Sequence, residues 1–199
     1  MPDHALRWVD DLGIEGNPHQ QRLFIPVSCM HCEEPTCLEV CPTTATYQRA
    51  DGVVGVDEER CIGCGYCIVA CPYQVRKIYS WGLDQHQEGS AEVHDRENRK
   101  GVCLKCSFCN LRLDLALQNG LKPGEDQAVT PACVNTCTAG ALSFGDLDDP
   151  ESHVSKLLRD NQIACLQDSL GTRPRIYYIV PDWFGGVTGM AGWRGPDES

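Results

Sequence analysis

The sequence has few large residues with which to fill an ordinary hydrophobic core. It contains four Phe, four Trp, six Tyr and three Met among 199 residues. A chain of this length normally supports one domain with its own core, or two small domains. Cysteine, by contrast, occurs fourteen times. We therefore expect something other than side-chain packing to organise the interior.

Long apolar runs and a basic surplus are also missing. No stretch of 18 or more uninterrupted apolar residues occurs, so no segment is predicted to span a bilayer. The chain has 17 Lys and Arg against 28 Asp and Glu, a formal net charge of −11. Nucleic acids and anionic membrane surfaces require a basic footprint on the protein, so neither is an expected partner.

The opening residues, "MPDHALRWVDD", show no export signal of the Sec or twin-arginine type. We therefore expect the chain to be in the cytoplasm or on the cytoplasmic face of a membrane, where thiols stay reduced. Cysteine patterns in that compartment are more often metal sites or catalytic sites than disulfides.

Two cysteine groups form an internal repeat, and each ends in Cys-Pro. They read "CMHCEEPTCLEVCP" and "CIGCGYCIVACP". Their cysteines are Cys29, Cys32, Cys37 and Cys41 in the first group and Cys61, Cys64, Cys67 and Cys71 in the second. The second group matches the bacterial C-x₂-C-x₂-C-x₃-C-P pattern, whose fourth cysteine ligates the other cluster in two-cluster ferredoxins. The repeat therefore predicts [4Fe–4S] clusters.

Structural zinc is the main alternative, because C-x₂-C pairs also build tetrahedral zinc sites. A zinc site needs two such pairs, however, and not repeated triples with a fourth cysteine and a proline. The ligand pattern therefore favours iron–sulfur over zinc.

A third cysteine group has a different spacing. It consists of Cys103, Cys106 and Cys109, followed by Cys133 and Cys137. The run "CLKCSFC" makes Cys103 part of a C-x₂-C-x₂-C triple of its own. Cys165 stands alone in "NQIACLQD", and we interpret it as a buried small apolar residue.

Local patterns predict a small number of short elements around these groups. "RLFIPV" is predicted to be a strand leading to Cys29, and Asp51-Gly52 is predicted to be the turn of a hairpin. "LRLDLAL" predicts a helical turn or two, and "AGALSFGDL" a short strand.

Two further segments lie outside the cysteine groups. Asp149-Pro150 is predicted to begin a helix whose apolar stripe is Val154, Leu157 and Leu158. The polar run at 84–100 is predicted to be an exposed loop. The tail from Pro181 contains Trp183, Phe184 and Trp193, and we interpret it as an arm that docks on a partner.

The segment "VSCMHCEEPTCLEVCPTTATYQRADGVVGVDEERCIGCGYCIVACPYQVRKIY" closely resembles the iron–sulfur electron-transfer subunits of the DMSO reductase family of molybdenum or tungsten bis-pyranopterin oxidoreductases. The later "KCSFC", "PACVNTCTAGALSFGDL" and "LGTRPRIYYI" are similar to that family as well. The resemblance covers residues from about 23 to about 180. It implies an α+β fold: tandem ferredoxin-like domains of short β-hairpins and short helices around cubane clusters, with a C-terminal helix and an extended tail.

The resemblance also implies a division of the chain. Residues 1–22 form an N-terminal extension and residues 23–84 a two-cluster ferredoxin-like domain. Residues 85–147 form a second cysteine-rich ferredoxin-like half without its partner motif. Residues 148–199 form a C-terminal helix, a strand and a docking tail.

The family's exchange of the last cysteine in each group implies two complete ligand sets. Cluster one takes Cys29, Cys32, Cys37 and Cys71, and cluster two takes Cys61, Cys64, Cys67 and Cys41. A third cluster at the late group takes Cys106, Cys109 and Cys133. Its fourth ligand is Cys103 or Cys137, because the family's N-terminal motif is missing: no cysteine precedes Cys29. Two alternatives stay open, in which the missing motif comes from another chain or an upstream start, or the late site is empty.

Five residues near the cysteines carry weaker signals. Arg76 and Lys77 either raise the potential of a nearby cluster or form a solvated basic pair. Tyr79 and Trp81 line a cluster pocket or pack in the core. His31 is interpreted as a packed or exposed histidine.

The predicted function is that of a non-catalytic electron conduit. It connects a large molybdenum or tungsten catalytic subunit to a membrane anchor or a soluble carrier, and export on a partner's signal is compatible with it. No catalytic residue is predicted, because no nucleophile with a base, phosphate loop or carboxylate pair stands out. The alternatives are a freestanding multi-cluster ferredoxin-like carrier and a zinc-stabilised interaction module.

Overall fold

A computed structural model describes residues 5–13, 22–79 and 101–182. These residues fall into two compact units. The first contains the residues up to Cys106 and the segment Gln167–Arg175; the second contains Ser107–Leu166 and continues from Ile176. The predicted loop at 84–100 and the aromatic residues of the tail lie outside the described residues. No helix in the described ranges has the length and apolar character that a membrane crossing requires.

The first unit begins with an antiparallel strand pair. Strand β1 (Trp8–Gly13) pairs with β2 (Arg22–Val27), with Trp8 opposite Val27. Ile25 and Val27 point the same way along β2 and are both buried, as the two-residue period of a strand requires. The predicted strand at "RLFIPV" is confirmed, and it leads straight into the first cysteine group.

A hairpin separates the first and second cysteine groups. Strands β3 (Thr46–Gln48) and β4 (Val54–Val56) pair antiparallel, which confirms the predicted turn between them. Gly52 has a φ of 78°, a left-handed conformation that glycine adopts without a Cβ penalty. The Asp51 carboxylate accepts a hydrogen bond from the Val53 N–H at 3.1 Å and closes the turn.

A third strand pair brings residues from 101 onward back to the second cysteine group. Strand β5 (Lys77–Ile78) pairs antiparallel with β6 (Cys103–Leu104), and Ile78 lies opposite Cys103. The Tyr79 N–H extends the pairing by donating to the Val102 carbonyl at 2.8 Å. Cys103 is therefore a strand residue that lies beside the second group.

The segment Gln167–Arg175 closes the first unit by returning to the first cysteine group. The Glu34 N–H donates to the Thr172 carbonyl at 3.1 Å, and the Arg175 N–H donates to the Met30 carbonyl at 2.9 Å. A 3₁₀ turn at Asp168–Leu170 precedes these contacts.

Three helices of one turn each contain one cysteine. In the first two cysteine groups it is the third cysteine of the group, and in the late group it is the first cysteine of the final pair. The helices are α1 (Thr36–Glu39) with Cys37, α2 (Tyr66–Val69) with Cys67, and, in the second unit, α4 (Ala132–Asn135) with Cys133. Each leads into the last cysteine of its group. The three segments are thus built alike, although the third lacks the proline that follows the other two.

The second unit contains two longer helices and one strand pair. Helix α3 (Asn110–Asn119) has ten residues and is longer than the one or two turns predicted; it ends at Gly120, whose φ of 63° is a common left-handed helix stop. Helix α5 covers His153–Asp160. Strands β7 (Ile163–Ala164) and β8 (Tyr178–Ile179) pair antiparallel.

Two details of the second unit differ from the sequence predictions. Helix α5 begins three residues after Pro150, because Ser152 is its N-cap and accepts a hydrogen bond from the Ser155 N–H at 3.2 Å. Asp149 instead forms a turn, accepting from the Glu151 N–H at 2.9 Å. The predicted strand at "AGALSFGDL" is wrong: the segment has no strand partner among the described residues, and a strand forms only where a neighbour completes its backbone hydrogen bonds.

Small helices and short antiparallel strand pairs therefore make up the described chain, which agrees with the predicted α+β class. Every sheet has two strands in the ranges that the structure describes. Isolated two-stranded pairs are marginally stable, so strand pairing alone does not account for the stability of this fold. The tandem arrangement and the four predicted domain boundaries stay predictions.

Candidate iron–sulfur sites

Three C-x-x-C loops share one backbone conformation. In each, the residue before the second cysteine has a positive φ: 44° at His31, 68° at Gly63 and 52° at Phe108. Non-glycine residues rarely adopt this region, so its recurrence at His31 and Phe108 indicates a loop shape that is required. "CLKC" does not share it, since Lys105 is not a positive-φ residue. The late cluster-type loop is therefore "CSFC", and Cys103 lies outside it.

A second turn recurs after the last cysteine of each group. Three residues beyond Cys41, Cys71 and Cys137, the chain again has a positive φ, at Thr44, Gln74 and Gly140. The N–H of that residue donates to the carbonyl of the cysteine in all three cases, at 3.2, 3.2 and 3.0 Å. The repeat that the sequence shows in two groups thus extends in structure to a third.

Backbone N–H groups also donate to two of these last cysteines. Thr46 N–H donates to Cys41 Sγ at 3.4 Å, and Ala141 N–H donates to Cys137 Sγ at 3.3 Å. Burial raises the pKa of Cys41, but the hydrogen bonds, first that from Thr46, lower it by more, so the net shift is downward. The lowered pKa favours the thiolate of Cys41, which is the form that binds metal.

One pocket is lined by all four cysteines predicted to hold cluster two. Cys61, Cys64 and Cys67 come from the second group and Cys41 from the first. The other lining residues of the pocket are small or apolar, among them Ala45, Gly63 and Ile78. Four soft thiol donors around one space match the donor set of a cubane.

The four cysteines predicted to hold cluster one also lie near one another. Burial raises the pKa of Cys32 to about 12 and that of Cys37 to about 11, and neighbouring thiols add to both shifts. The neighbours that act on both are Cys29 and Cys71. Cys71 of the second group is therefore near the thiols of the first. Buried thiols that disfavour one another's ionisation are stabilised as thiolates once a metal centre binds them.

Cys103 lies in the pocket of the second set as a fifth thiol. It is 1% exposed, its Sγ is 3.5 Å from Cys67 Sγ, and its N–H donates to Cys61 Sγ at 3.3 Å. The contact between the two sulfurs couples their ionisation: it lowers the pKa of Cys67 and raises that of Cys103. In the structure the Cys67 thiol donates to Cys103 Sγ.

Arg76 and Lys77 differ in their burial. Arg76 is 2% exposed, and its Nη1 donates to Thr46 Oγ1 at 3.1 Å and to Cys103 Sγ at 3.7 Å. Lys77 is only half-buried. Nη2 of Arg76 is buried without a hydrogen-bond partner in the described part of the chain. A buried donor left open among thiols fits an anionic iron–sulfur cluster nearby.

His31 is a packed histidine, in agreement with one of the two interpretations of it. Its side chain is fully buried, and Nδ1 accepts the Val54 N–H at 3.1 Å. Burial, and then the nearby Lys105, lower its pKa, so the ring is neutral. The side chain thus ties the first C-x-x-C loop to strand β4. Tyr79 is half-buried, and Trp81 lies outside the described residues.

Sequence reasoning missed the burial of Lys105. Its side chain is 7% exposed, and Nζ donates to the carbonyls of Val54 and Cys106. The available signal was weak, since a lysine between two cysteines has no distinctive pattern.

The buried charges of the described residues all have one sign. Arg76 and Lys105 are buried, and no Asp or Glu in the described ranges is. The chain as a whole nevertheless carries a net charge of −11. An acidic protein therefore has a cationic interior at the place where the thiols gather.

The late cysteines are divided between the two units at the loop itself. Cys106 is the last residue of the first unit in that stretch, and Cys109, Cys133 and Cys137 belong to the second. All four are half-buried. A third cluster and its ligands stay a prediction. Cys165 is buried just after β7, as predicted.

The comparisons with known proteins agree with this chemistry. A family model described as a 4Fe-4S dicluster domain matches residues 20–112. That range contains the first two cysteine groups and ends within α3. Because the matched family is defined by such clusters, [4Fe–4S] is the cofactor, and the zinc interpretation finds no support.

Three relatives illustrate the similarity. The chain is 42% identical to the Hdr-like menaquinol oxidoreductase iron-sulfur subunit 1 of Archaeoglobus fulgidus, over 82% of this chain and 59% of that protein. It is 36% identical to a subunit of the selenate reductase of Mesobacillus selenatarsenatis, over 82% and 57%. It is 38% identical to a subunit of the polysulfide reductase of Wolinella succinogenes, over 94% and 84%.

The matches cover different fractions of the relatives' lengths. The chain spans somewhat more than half the length of the first two relatives and most of the third. The match to the third covers nearly the whole of this chain, including all three cysteine groups. The protein belongs to the family of iron–sulfur subunits of the DMSO reductase-type molybdenum oxidoreductases.

Proposed function

We propose that the chain is the electron-transfer subunit of a molybdenum or tungsten oxidoreductase. It relays electrons between a large bis-pyranopterin catalytic subunit and a membrane anchor or a soluble carrier. The observation that supports the proposal is the position of Cys41 in a pocket with Cys61, Cys64 and Cys67, together with that of Cys71 near the thiols of the first group. Two sites interlocked in this way form a pathway for electrons.

The polypeptide contributes the fixed spacing of the two sites. Bound [4Fe–4S] clusters supply reversible one-electron transfer. Thr36 Oγ1 donates to the Ala70 carbonyl at 2.8 Å, which joins the start of α1 to the residue before Cys71. Helices α1 and α2 each carry one proposed ligand of their own set and lead directly into a proposed ligand of the other set. A displacement of one site would therefore displace the other.

Substrate chemistry takes place on the partner subunit in this proposal. The relatives include subunits of selenate reductase, tetrathionate reductase and polysulfide reductase. We infer that this protein is likewise non-catalytic and binds a large catalytic subunit. The predicted location, in the cytoplasm or on the cytoplasmic face of a membrane, is part of the proposal.

The tandem arrangement and the third cluster belong to the proposal as well. Of the two candidates for the fourth late ligand, Cys137 is now the stronger. The Cys103 thiol lies in the pocket of the second set, and its backbone is a strand. Cys137 has instead the same turn and a similar N–H···S hydrogen bond to those of Cys41. Residues 85–147 are the second ferredoxin-like half in this arrangement.

The experiment is affinity purification of the tagged full chain, without oxygen, from cells that make the native complex. We expect a large molybdenum- or tungsten-containing protein to co-purify. We expect about eight to twelve iron atoms and as many sulfides per chain, for two or three cubanes. A chain that retains this iron but purifies alone is the freestanding carrier. Substantial zinc with little sulfide contradicts the iron–sulfur sites themselves.

A further inference from the structure

Arg76 lies where the two proposed ligand sets of the first unit approach each other. Burial lowers the pKa of its guanidinium, but surrounding thiols raise it by more. Those thiols are, in decreasing order of effect, Cys37 of the first set, Cys103 beside the second set, Cys29 of the first set and Cys67 of the second. One cation therefore experiences the charge of both groups of sulfurs.

No carboxylate among the described residues compensates this charge. Arg76 forms no ion pair with an Asp or Glu among the residues that the structure describes, and none of those carboxylates is buried. An unpaired charge in a protein interior is strongly unfavourable. Among the described residues, the groups near Arg76 that can carry a negative charge are the thiols of the two sets and Cys103. The guanidinium is therefore placed for a state in which those sulfurs are ionised.

The two terminal nitrogens of the Arg76 guanidinium differ in their hydrogen bonding. Nη1 donates to Thr46 Oγ1 and to Cys103 Sγ, which fixes the plane of the guanidinium. Nη2 has no hydrogen-bond partner in the described chain, although it is fully buried. A planar guanidinium with one anchored and one open nitrogen is suited to donate to a further acceptor.

We propose that Arg76 is a counter-cation shared by the two clusters of the first unit, and that it raises the reduction potential of both. The inference rests on the two proposed ligand sets. An added electron increases the negative charge at either site, and a fixed buried cation stabilises that charge strongly in a medium of low dielectric constant. Arg76 thus raises both reduction potentials together and is not itself a ligand.

Lys105, the other buried cation, has a different role. Its Nζ donates hydrogen bonds to two backbone carbonyls, those of Val54 and Cys106. Its effect on cysteine pKa is resolved at Cys37 of the first set, where it is weaker than that of Arg76. The shared position belongs to Arg76.

The test is a redox titration of the full chain with its clusters, followed by electron paramagnetic resonance. We expect Arg76→Gln to keep its iron and to shift both potentials to more negative values. The matched control is Lys77→Gln, which removes the same charge from the adjacent, half-buried position and is expected to shift them much less. Arg76→Lys keeps the positive charge, so both of its reduction potentials should stay close to those of the wild-type chain.

Each outcome decides between charge and mere packing. If Arg76→Gln loses its clusters while Arg76→Lys retains them, the charge is needed to hold the clusters, and the inference that it acts on their potentials is wrong. If Arg76→Gln keeps its clusters and shifts neither potential more than Lys77→Gln does, the inference is wrong. It is also wrong if one potential moves alone, or if both Arg76 variants lose their clusters while Lys77→Gln keeps them. A wild-type chain without iron and sulfide contradicts the proposed function instead.

Discussion

The sulfur of Cys103 lies 3.5 Å from the sulfur of Cys67, so a thiol from strand β6 contacts a proposed ligand of the second set. In the structure the Cys67 thiol donates to Cys103 Sγ. The sequence left Cys103 and Cys137 as candidates for the fourth ligand of a late cluster. A Cys67 thiolate bound to iron can only accept a hydrogen bond, so we expect the Cys103 S–H to become the donor to it, a contact that tunes iron–sulfur potentials.

Cys103→Ala is expected to leave the iron content unchanged and to make the potential of the second cluster more negative. The reason is that a thiolate ligand which loses a hydrogen bond donates more charge to iron. Iron analysis and a redox titration measure the two effects. Cys165→Ala, which changes a buried cysteine of the second unit, is the control and should leave both unchanged. Loss of about four irons per chain in Cys103→Ala, one cubane's worth, would show that Cys103 is a ligand after all.

Replacing the exchanged cysteines should damage the cluster of the opposite group. Cys71→Ser is expected to alter the cluster held by Cys29, Cys32 and Cys37, because Cys71 lies near those thiols. Cys41→Ser is expected to alter the cluster in the other pocket, which Cys41 lines. Electron paramagnetic resonance of the two variants under reducing conditions checks this. If each variant loses the cluster of its own group, the exchange does not occur.

Gly63→Ala should weaken the second site far more than Gly65→Ala. Both glycines have positive φ, 68° and 79°, so each change costs about 1–2 kcal/mol in backbone strain. A Cβ at Gly63 would in addition overlap the Gly101 carbonyl oxygen, whereas a Cβ at Gly65 would meet no atom within 4 Å in the described part of the chain. We expect an extra loss of about 1–3 kcal/mol for Gly63→Ala. Anaerobic denaturant melts and iron retention compare the two, and equal losses would contradict the predicted overlap.

The hydroxyl groups of Tyr73 and Thr172 form a buried hydrogen bond of 2.6 Å. This bond ties the returning segment to the residues after Cys71. Tyr73→Phe leaves a buried hydroxyl with a lost partner, so we expect the free energy of unfolding to fall by about 1–3 kcal/mol. Tyr66→Phe serves as the control, because Tyr66 is 61% exposed and its change should stay within about 0.5 kcal/mol. Similar melting curves for the two variants would mean that the bond adds nothing to stability.

The sequence was sufficient for those parts of the fold that local chemistry determines. The strand before Cys29 and the hairpin at Asp51-Gly52 follow from β-branched runs and turn residues, and both are confirmed. The start of α5 was placed too early, because Asp149-Pro150 and Ser152 are both good starting signals and only the backbone geometry chooses Ser152. The strand after Cys137 was inferred by analogy with the other groups, but no neighbour pairs with it in the described ranges.

The site was predictable where it depends on spacing and not where it depends on long-range packing. The two exchanged sets are what the family resemblance implies and stay a prediction; the structure brings their members near one another. The position of Cys103 depends on the pairing of β5 with β6, two short strands with little strand signal of their own. In the same way, nothing in "VRKIY" reveals that Arg76 is buried and Lys77 is not, since either can face inward.

The cationic interior of this acidic chain also has a consequence for its biogenesis. Until sulfur and iron arrive as an anionic group, Arg76 and Lys105 oppose closure of the first unit, since no buried carboxylate among the described residues attracts them. We expect cluster binding to offset that charge, so that loading with iron and sulfide and closing of the first unit stabilise each other.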